Sequence, residues 1–249
     1  LGDVYKRQEY VIGVDPARTS DYFAMVVIEI GPPHKIVYVS AKQRLSFQNM
    51  AMRIRKLTFR FKNVVSVVMD KGGGGLAIKD LLAEKIFTDE NDIIKDPIVE
   101  KDSEISEGLH ILELKQVDNP WMDQVNASIL GSFQAGRLLL PVDEIDYSGI
   151  NPNQIPLYEA VLKNIEKLIH QFVSIRIKST AGGAPRWDTS NEKAKKDIYS
   201  AALFAYWGLR SYMGEVEREK QRDFTKRKKY LPRVKIYKAS PFDKVLTYG

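Results

Sequence analysis

The chain contains no cysteine. Disulfides, zinc–thiolate sites and thiol nucleophiles are therefore excluded, and a reducing compartment is compatible with the composition. Histidine is scarce: His34, His110 and His170 are too scattered to build an imidazole metal cluster. No apolar run reaches the ~18–20 residues of a membrane span, and no signal peptide is evident. A Gly-x-x-x-x-Gly-Lys-Ser/Thr loop is missing too, so nucleotide hydrolysis by that motif is not encoded. Internal repeats are absent. What remains is a chain of 249 residues, 44% hydrophobic and 28% charged, which reads as soluble and globular. That length fits one large α/β domain or two small ones, and it can bury a real core.

The formal net charge is +6. Much of the excess lies in Arg218-Glu219-Lys220-Gln221-Arg222 and Lys226-Arg227-Lys228-Lys229. A basic surface favours polyanions and makes binding salt-sensitive. A merely solvated tail explains the same residues equally well. At the other end, Leu1 to Gln8 have no clear place in a fold and read as a non-native leader. On that reading the natural protein continues upstream of Glu9 and this chain is a fragment. The expected organisation is a leader over 1–8, a folded domain over 9–214 and a basic tail over 215–249.

Within the domain, Tyr10 to Asp15, Tyr22 to Ile30 and Lys35 to Leu45 read as strands joined by short turns, an antiparallel meander. Ser46 is a plausible N-cap for a helix marked by Phe47, Met50, Ile54, Leu57 and Phe61. Val64 to Met69 is apolar without alternation, as expected of a strand covered on both faces. A helix over Leu76 to Ile86 follows, then an acidic excursion from Asp89 to Glu107. Leu109 to Leu114 reads as a strand, Trp121 to Ala135 as a helix, Arg137 to Leu140 as a short strand and Tyr158 to His170 as a helix. Phe172 to Lys178 and Arg186-Trp187-Asp188, around a glycine-containing turn, predict a hairpin. Asn191 to Met213 is the last strong helix. The fold class expected is α/β, with a mixed sheet and helices on both faces.

The chemistry concentrates where apolar runs meet acids. Val11-Ile12-Gly13-Val14 runs straight into Asp15, and Val64 to Met69 runs into Asp70, followed by Lys71 and four glycines. A buried strand that ends in a carboxylate puts that charge at the edge of the sheet. Asp197, in the first turns of the last helix, completes a cluster, and Asp21 lies within reach in sequence. Carboxylates that converge in an enclosed site repel one another unless a cation is present. Hard oxygen donors suit Mg²⁺ or Mn²⁺, and a pair of such ions supports in-line attack on a phosphodiester. Plainer roles exist for each acid: turn former, strand cap, or a favourable charge at a helix N-terminus. Gly72 and Gly73 either let a nucleic-acid backbone approach or simply make a tight strand-to-helix turn. Lys71, Arg18 and Arg186 suit phosphate contacts or plain solvation.

Three segments in this order resemble the C-terminal nuclease domain of the tailed-bacteriophage large terminase subunit, of the ribonuclease-H-like superfamily. They are Gly13-Val14-Asp15-Pro16-Ala17-Arg18 with Asp21 beyond it, Met69-Asp70-Lys71-Gly72-Gly73-Gly74-Gly75, and Lys196-Asp197-Ile198-Tyr199-Ser200-Ala201-Ala202-Leu203. The helix and strand from Trp121 to Pro141 share the likeness, which spans roughly Tyr10 to Met213. The resemblance implies a ribonuclease-H-like fold with a β-hairpin beside the active site, here Phe172 to Asp188. It implies metal-dependent endonucleolysis of double-stranded DNA, trimming concatemeric viral genomes during packaging in the host cytoplasm. Asp15, Asp70 and Asp197 match the family's acidic triad, and Asp21 matches an additional acid of some members. Mg²⁺ or Mn²⁺, two ions, is the implied cofactor. Implied partners are DNA, a portal or procapsid and a small terminase subunit. No membrane partner is expected. Lys196 stands where some relatives carry a second acid, which favours weaker or single-ion binding and adds a cation to the DNA-contact set of Arg18, Lys71, Gly72, Gly73 and Arg186. The family's packaging ATPase domain is missing from this chain. Competing readings are a Holliday-junction-type nuclease, a non-catalytic DNA- or portal-docking module, and a nucleotide-binding protein of the actin and sugar-kinase type. Junction preference, binding without cutting, and tight ATP binding would mark each in turn.

Overall fold

Strand β1 (Glu9–Asp15) and strand β4 (Val64–Asp70) lie side by side and parallel, each buried through its middle. Runs that are apolar on both faces need cover on both faces, and the rest of the fold supplies it. The computed structural model describes residues 8–17, 21–86, 96–141, 151–152, 155–179, 185–189 and 195–230. The further strands of the main sheet are β2 (Phe23–Ile30), β3 (His34–Lys42), β5 (Ile98–Glu100), β6 (Leu109–Lys115) and β7 (Leu138–Leu139). They form one seven-stranded mixed sheet in the order β5-β6-β4-β1-β2-β3-β7. The β1–β2–β3 meander is antiparallel, and β1 with β4 and β4 with β6 are parallel. Strands β8 (Ile175–Ser179) and β9 (Pro185–Thr189) pair as a separate hairpin.

Side-chain parity divides the sheet between two cores. Ile12, Val14, Met25, Val67 and Met69 face helices α1 (Phe47–Arg60) and α2 (Gly75–Ala83), meeting Met50, Ile54, Ile78 and Leu82. Val11, Val26, Ile28 and Val68 face helices α3 (Asn119–Gln134), α4 (Ile155–Ser174) and α5 (Asp197–Tyr230), meeting Val125, Leu168, Tyr199 and Phe204. Helix α1 begins at the expected N-cap, with the Ser46 hydroxyl accepting from Asn49 N–H at 3.2 Å. Arg55, buried on α1, donates to the carbonyls of Leu82 at 2.8 Å and Asp96 at 2.7 Å. It thereby ties the end of α2 to the start of β5.

Three expectations need correction. The acidic excursion expected over 89–107 contains a strand: Ile98 and Val99 are buried, and β5 pairs in parallel with β6. Three residues are too few to show a period, and residues 87–95 lie outside those described. Phe172 to Ser174 are helical, not strand, and β8 begins only at Ile175. The Phe172 ring packs edge-on against Phe133 and Tyr199, which holds it in the helix. Helix α5 starts at Asp197 and runs to Tyr230, well past Met213. Its later Glu, Lys, Arg and Gln residues are strong helix formers with no proline among them. The chain divides into two units, Leu1–Tyr212 and Met213–Gly249. In the second, Arg218 Nε donates to the Gly214 carbonyl at 3.0 Å along the helix. Among the described residues no helix is long and apolar enough to cross a membrane.

The packing of α5 on β1 is unusually close. A Cβ at Gly13 would lie 2.0 Å from the Ala201 carbonyl oxygen and 2.2 Å from Ala205 N. Both of those atoms are backbone and cannot swing aside. Gly13→Ala is therefore expected to destabilise the fold by about 3 kcal/mol or more, read as a lowered urea midpoint. The control is Gly131→Ala, where a Cβ meets nothing within 4 Å.

Candidate active site

The end of β1 and the end of β4 share one sheet edge. Val14 is in register with Met69, so Asp15 and Asp70 follow side by side. Each continues the parity of the strand residues that face α5, because Val11 and Val68 both belong to that core. Helix α5 rests its backbone on Gly13 through Ala201 and Ala205. Asp197 sits one helical turn before Ala201, which brings it to the level of Asp15. Lys196 precedes it as the capping residue, its carbonyl accepting from Ser200 N–H at 2.9 Å. A carboxylate in the first turn is favoured by the helix dipole. Asp197 Oδ2 accepts from Tyr22 N–H at 3.1 Å, tying the start of β2 to the start of α5.

The electrostatics show that these acids sense one another. Burial pushes the Asp15 carboxyl well above the usual range. The charges of Asp197 and Asp70, and less strongly Asp21, add to that push, while a hydrogen bond from the Ser200 hydroxyl opposes it. Asp70 is also raised by burial, offset by Gly72 N–H, which donates to its Oδ1 at 3.0 Å. Asp197 is raised by burial and by Asp21, against the Tyr22 N–H and the charge of Lys195. As the side chains stand, each acid is turned to its own local donor, and among the described residues no three acids or imidazoles are gathered tightly enough to hold one ion. The donor set nonetheless suits a hard divalent cation: all oxygen, half-buried, and with ionisation opposed by neighbouring like charge.

Cations surround this edge, most of them already engaged. Lys195 forms an ion pair with Asp21. Lys196 Nζ lies 3.0 Å from Asp188 Oδ1, and Arg186 Nη2 lies 3.3 Å from Asp188 Oδ2. Burial pulls the Asp188 carboxyl up, but hydrogen bonds from Lys196 and Thr189 N–H and the two positive charges outweigh it, and its pKa lies below the usual range. Lys71 is exposed, with its backbone N–H donating to the Lys115 carbonyl at 2.9 Å. Arg18 lies outside the described residues.

The glycine loop has reasons of its own. Gly73 has φ +59, and a Cβ there would lie 2.5 Å from the Pro16 carbonyl oxygen. A Cβ at Gly75 would lie 1.9 Å from the Asp70 carbonyl oxygen. The loop therefore folds tightly against the segment after β1, and Gly72 spends its N–H on Asp70. Ser200, Lys195 and Asp188 did not emerge as site residues from the sequence. Ser200 carried a signal, since it lies on the same helical face as Asp197. The Asp188 pairings are tertiary and left none.

A seven-stranded mixed sheet with helices on both faces has the ribonuclease-H-like fold. Within that class the chain resembles the nuclease domain of the large terminase subunit of tailed bacteriophages. Residues 12–95 match the family described as Terminase RNaseH-like domain. The large terminase nuclease of thermophilic phage G20c superposes with a TM-score of 0.55 at 16% identity, over 80% of this chain and 82% of that one. A second structure of that protein, with bound magnesium, gives 0.55 and 16% over 81% and 82%. The large terminase nuclease domain of Thermus phage P74-26 gives 0.51 and 14% over 80% and 78%. No curated protein matches the sequence.

The raised Asp15 has a consequence for stability. The folded chain holds that proton more tightly than the unfolded one, so stability falls as pH rises from the unfolded value toward the folded one. In EDTA at pH 7, Asp15→Asn should therefore melt at least about 2 °C above the parent. The gap should close as pH drops below about 4, where the unfolded carboxyl is also protonated. Thermal melts across that range check it.

Proposed function

We propose that this chain is a metal-dependent endonuclease that cuts double-stranded DNA, acting on concatemeric viral genomes during packaging. The observation that carries the proposal is the convergence of Asp15 and Asp70, at the ends of neighbouring parallel strands, with Asp197 on α5, whose charges both bear on Asp15. The terminase likeness of the fold supports it. Asp15 is the central ligand, between Asp70 on the neighbouring strand and Asp197 on α5, with Asp21 as an outer acid. Two Mg²⁺ or Mn²⁺ ions, when bound, supply activation of water and stabilisation of the leaving oxygen. The chain's own residues do the rest. Ser200 orients the Asp15 carboxyl, and the Tyr22 and Gly72 backbone N–H groups orient Asp197 and Asp70. Lys71, Gly72, Gly73, Lys196 and Arg186 are the proposed phosphate contacts, with Arg18, outside the described residues, added to them from the sequence alone. A portal or procapsid, a small terminase subunit and a packaging ATPase are the proposed assembly partners, in the cytoplasm of the infected host.

Plasmid cleavage in Mn²⁺ or Mg²⁺ tests this directly. Parent protein should nick and linearise the plasmid, and EDTA should stop it. Asp15→Ala and Asp70→Ala should each cut more than about 100-fold more slowly, since loss of even an outer-sphere partner costs 10–100-fold. Undiminished cutting by both variants would reject the assignment.

These contacts make a second, separate prediction. Asp188 occupies both Lys196 and Arg186. Asp188→Asn frees two cations for phosphate, so it should bind a short duplex more tightly in EDTA. The slope of log affinity against log salt should steepen by about 1–2. Fluorescence anisotropy at several salt concentrations measures both. An unchanged slope removes Lys196 and Arg186 from the DNA contact set.

A further inference from the structure

Tyr199 lies between Asp197 and Ser200, yet its side chain points the other way, into the core, and is 1% exposed. Three contacts hold it. Its backbone N–H donates to Gln171 Oε1 at 2.8 Å. Its phenol donates to Asn126 Oδ1. Its ring meets Phe172 edge-on, with centroids 5.3 Å apart. The orientation of Asn126 is itself fixed, because its Nδ2 donates to the Met122 carbonyl at 2.8 Å, one turn back on α3. Burial pushes the Tyr199 phenol far up, so it stays a donor.

The first turn of any α-helix leaves backbone N–H groups without partners inside the helix. Here one of them is taken by a side chain from another helix. Gln171 stands near the C-terminus of α4, directly before Phe172 and just ahead of strand β8. The end of α4 thus grips the start of α5 by a side-chain amide and an aromatic ring, while α3 grips it by Asn126. The gripped turn carries Asp197, and it carries Ser200, whose hydroxyl holds the Asp15 carboxyl.

We infer that Gln171 and Asn126 are positioning residues, which act through Tyr199 to fix the turn of α5 from which Asp197 and Ser200 serve the proposed metal site. The inference rests on the proposed metal site and deepens it. The hydrogen bonds of Gln171 and Asn126 go to Tyr199 and Met122 and not to the acids, so both residues act at one remove. Outer partners that orient ligands typically matter 10–100-fold in metal affinity, and a shift of a few tenths of an ångström in α5 is enough to be felt.

Calorimetric titration with Mn²⁺, in the absence of DNA, tests this on the full chain. Gln171→Leu keeps the bulk and loses the acceptor, and it should weaken Mn²⁺ binding by about 10-fold or more. Gln171→Glu keeps the acceptor and should recover affinity to within about threefold of the parent, well inside the 10-fold loss. Tyr199→Phe, which keeps the ring and drops only the Asn126 bond, should also bind Mn²⁺ more weakly than the parent, and it serves if Gln171→Leu fails to fold. Parental affinity in both Gln171→Leu and Tyr199→Phe would overturn the inference. So would equal losses in Gln171→Leu and Gln171→Glu that track a lowered melting temperature. A parent chain that binds no Mn²⁺ sinks the nuclease reading and this inference with it. A parent that binds, with variants that match it, sinks the inference alone.

Discussion

The geometry of the acidic edge depends on one contact, the backbone of α5 lying against the backbone of β1 at Gly13. Helix–sheet distances are normally set by the side chains between them. At this point there are none: Gly13 on the strand faces the backbone of Ala201 and Ala205 on the helix, while farther along Gly208 faces the side chains of Val11 and Val68, at distances a methyl would close to 2.8 Å. Small residues at successive turns make a smooth track on which the helix has one seat. Asp197 is carried by that helix and Asp15 by that strand. The separation of their backbones is therefore set by main-chain packing, which is stiffer than rotamers.

That dependence explains what could be read from local sequence and what could not. Asp15 and Asp70 stood out because each ends an apolar run long enough to be a buried strand, and strand parity then places them on one face. The Ser46 cap of α1 was equally visible, since capping chemistry is local. The three residues of β5 show no period, and their burial comes from pairing with β6. The end of α4 alternates like a strand but is held helical by Phe133 and Tyr199, a tertiary choice that overrides pattern. The grip of Gln171 on Tyr199 and of Asp188 on Lys196 joins elements that only the fold brings together. Local sequence thus carried the clustered acids and most strands, while the groups that orient those acids became visible only in three dimensions.

Gathering acids at a half-buried edge works against stability, and the surroundings compensate only in part. Each acid has a donor: Ser200 for Asp15, Gly72 N–H for Asp70, Tyr22 N–H for Asp197, Lys195 for Asp21. Those donors are too few to bring Asp15, Asp70 or Asp197 back to the ordinary carboxylate range. A site with more donors would fold more comfortably and would bind a cation less strongly, because its negative charge would already be satisfied. Functional sites commonly break local rules of stability in this way.

The same economy governs the positive charges. Two consecutive lysines lead into α5, and they diverge: Lys195 turns to Asp21 and Lys196 to Asp188. Both lysines adjoin Asp197 in sequence, and the charge of Lys195 still reaches it through space. Asp188 and Asp21 divert them. Asp188 does so from the β8–β9 hairpin, whose neighbouring Trp187 is held by a hydrogen bond to Asp123 on α3. The hairpin thus holds Lys196 and Arg186 through one carboxylate, a role that needs no motion.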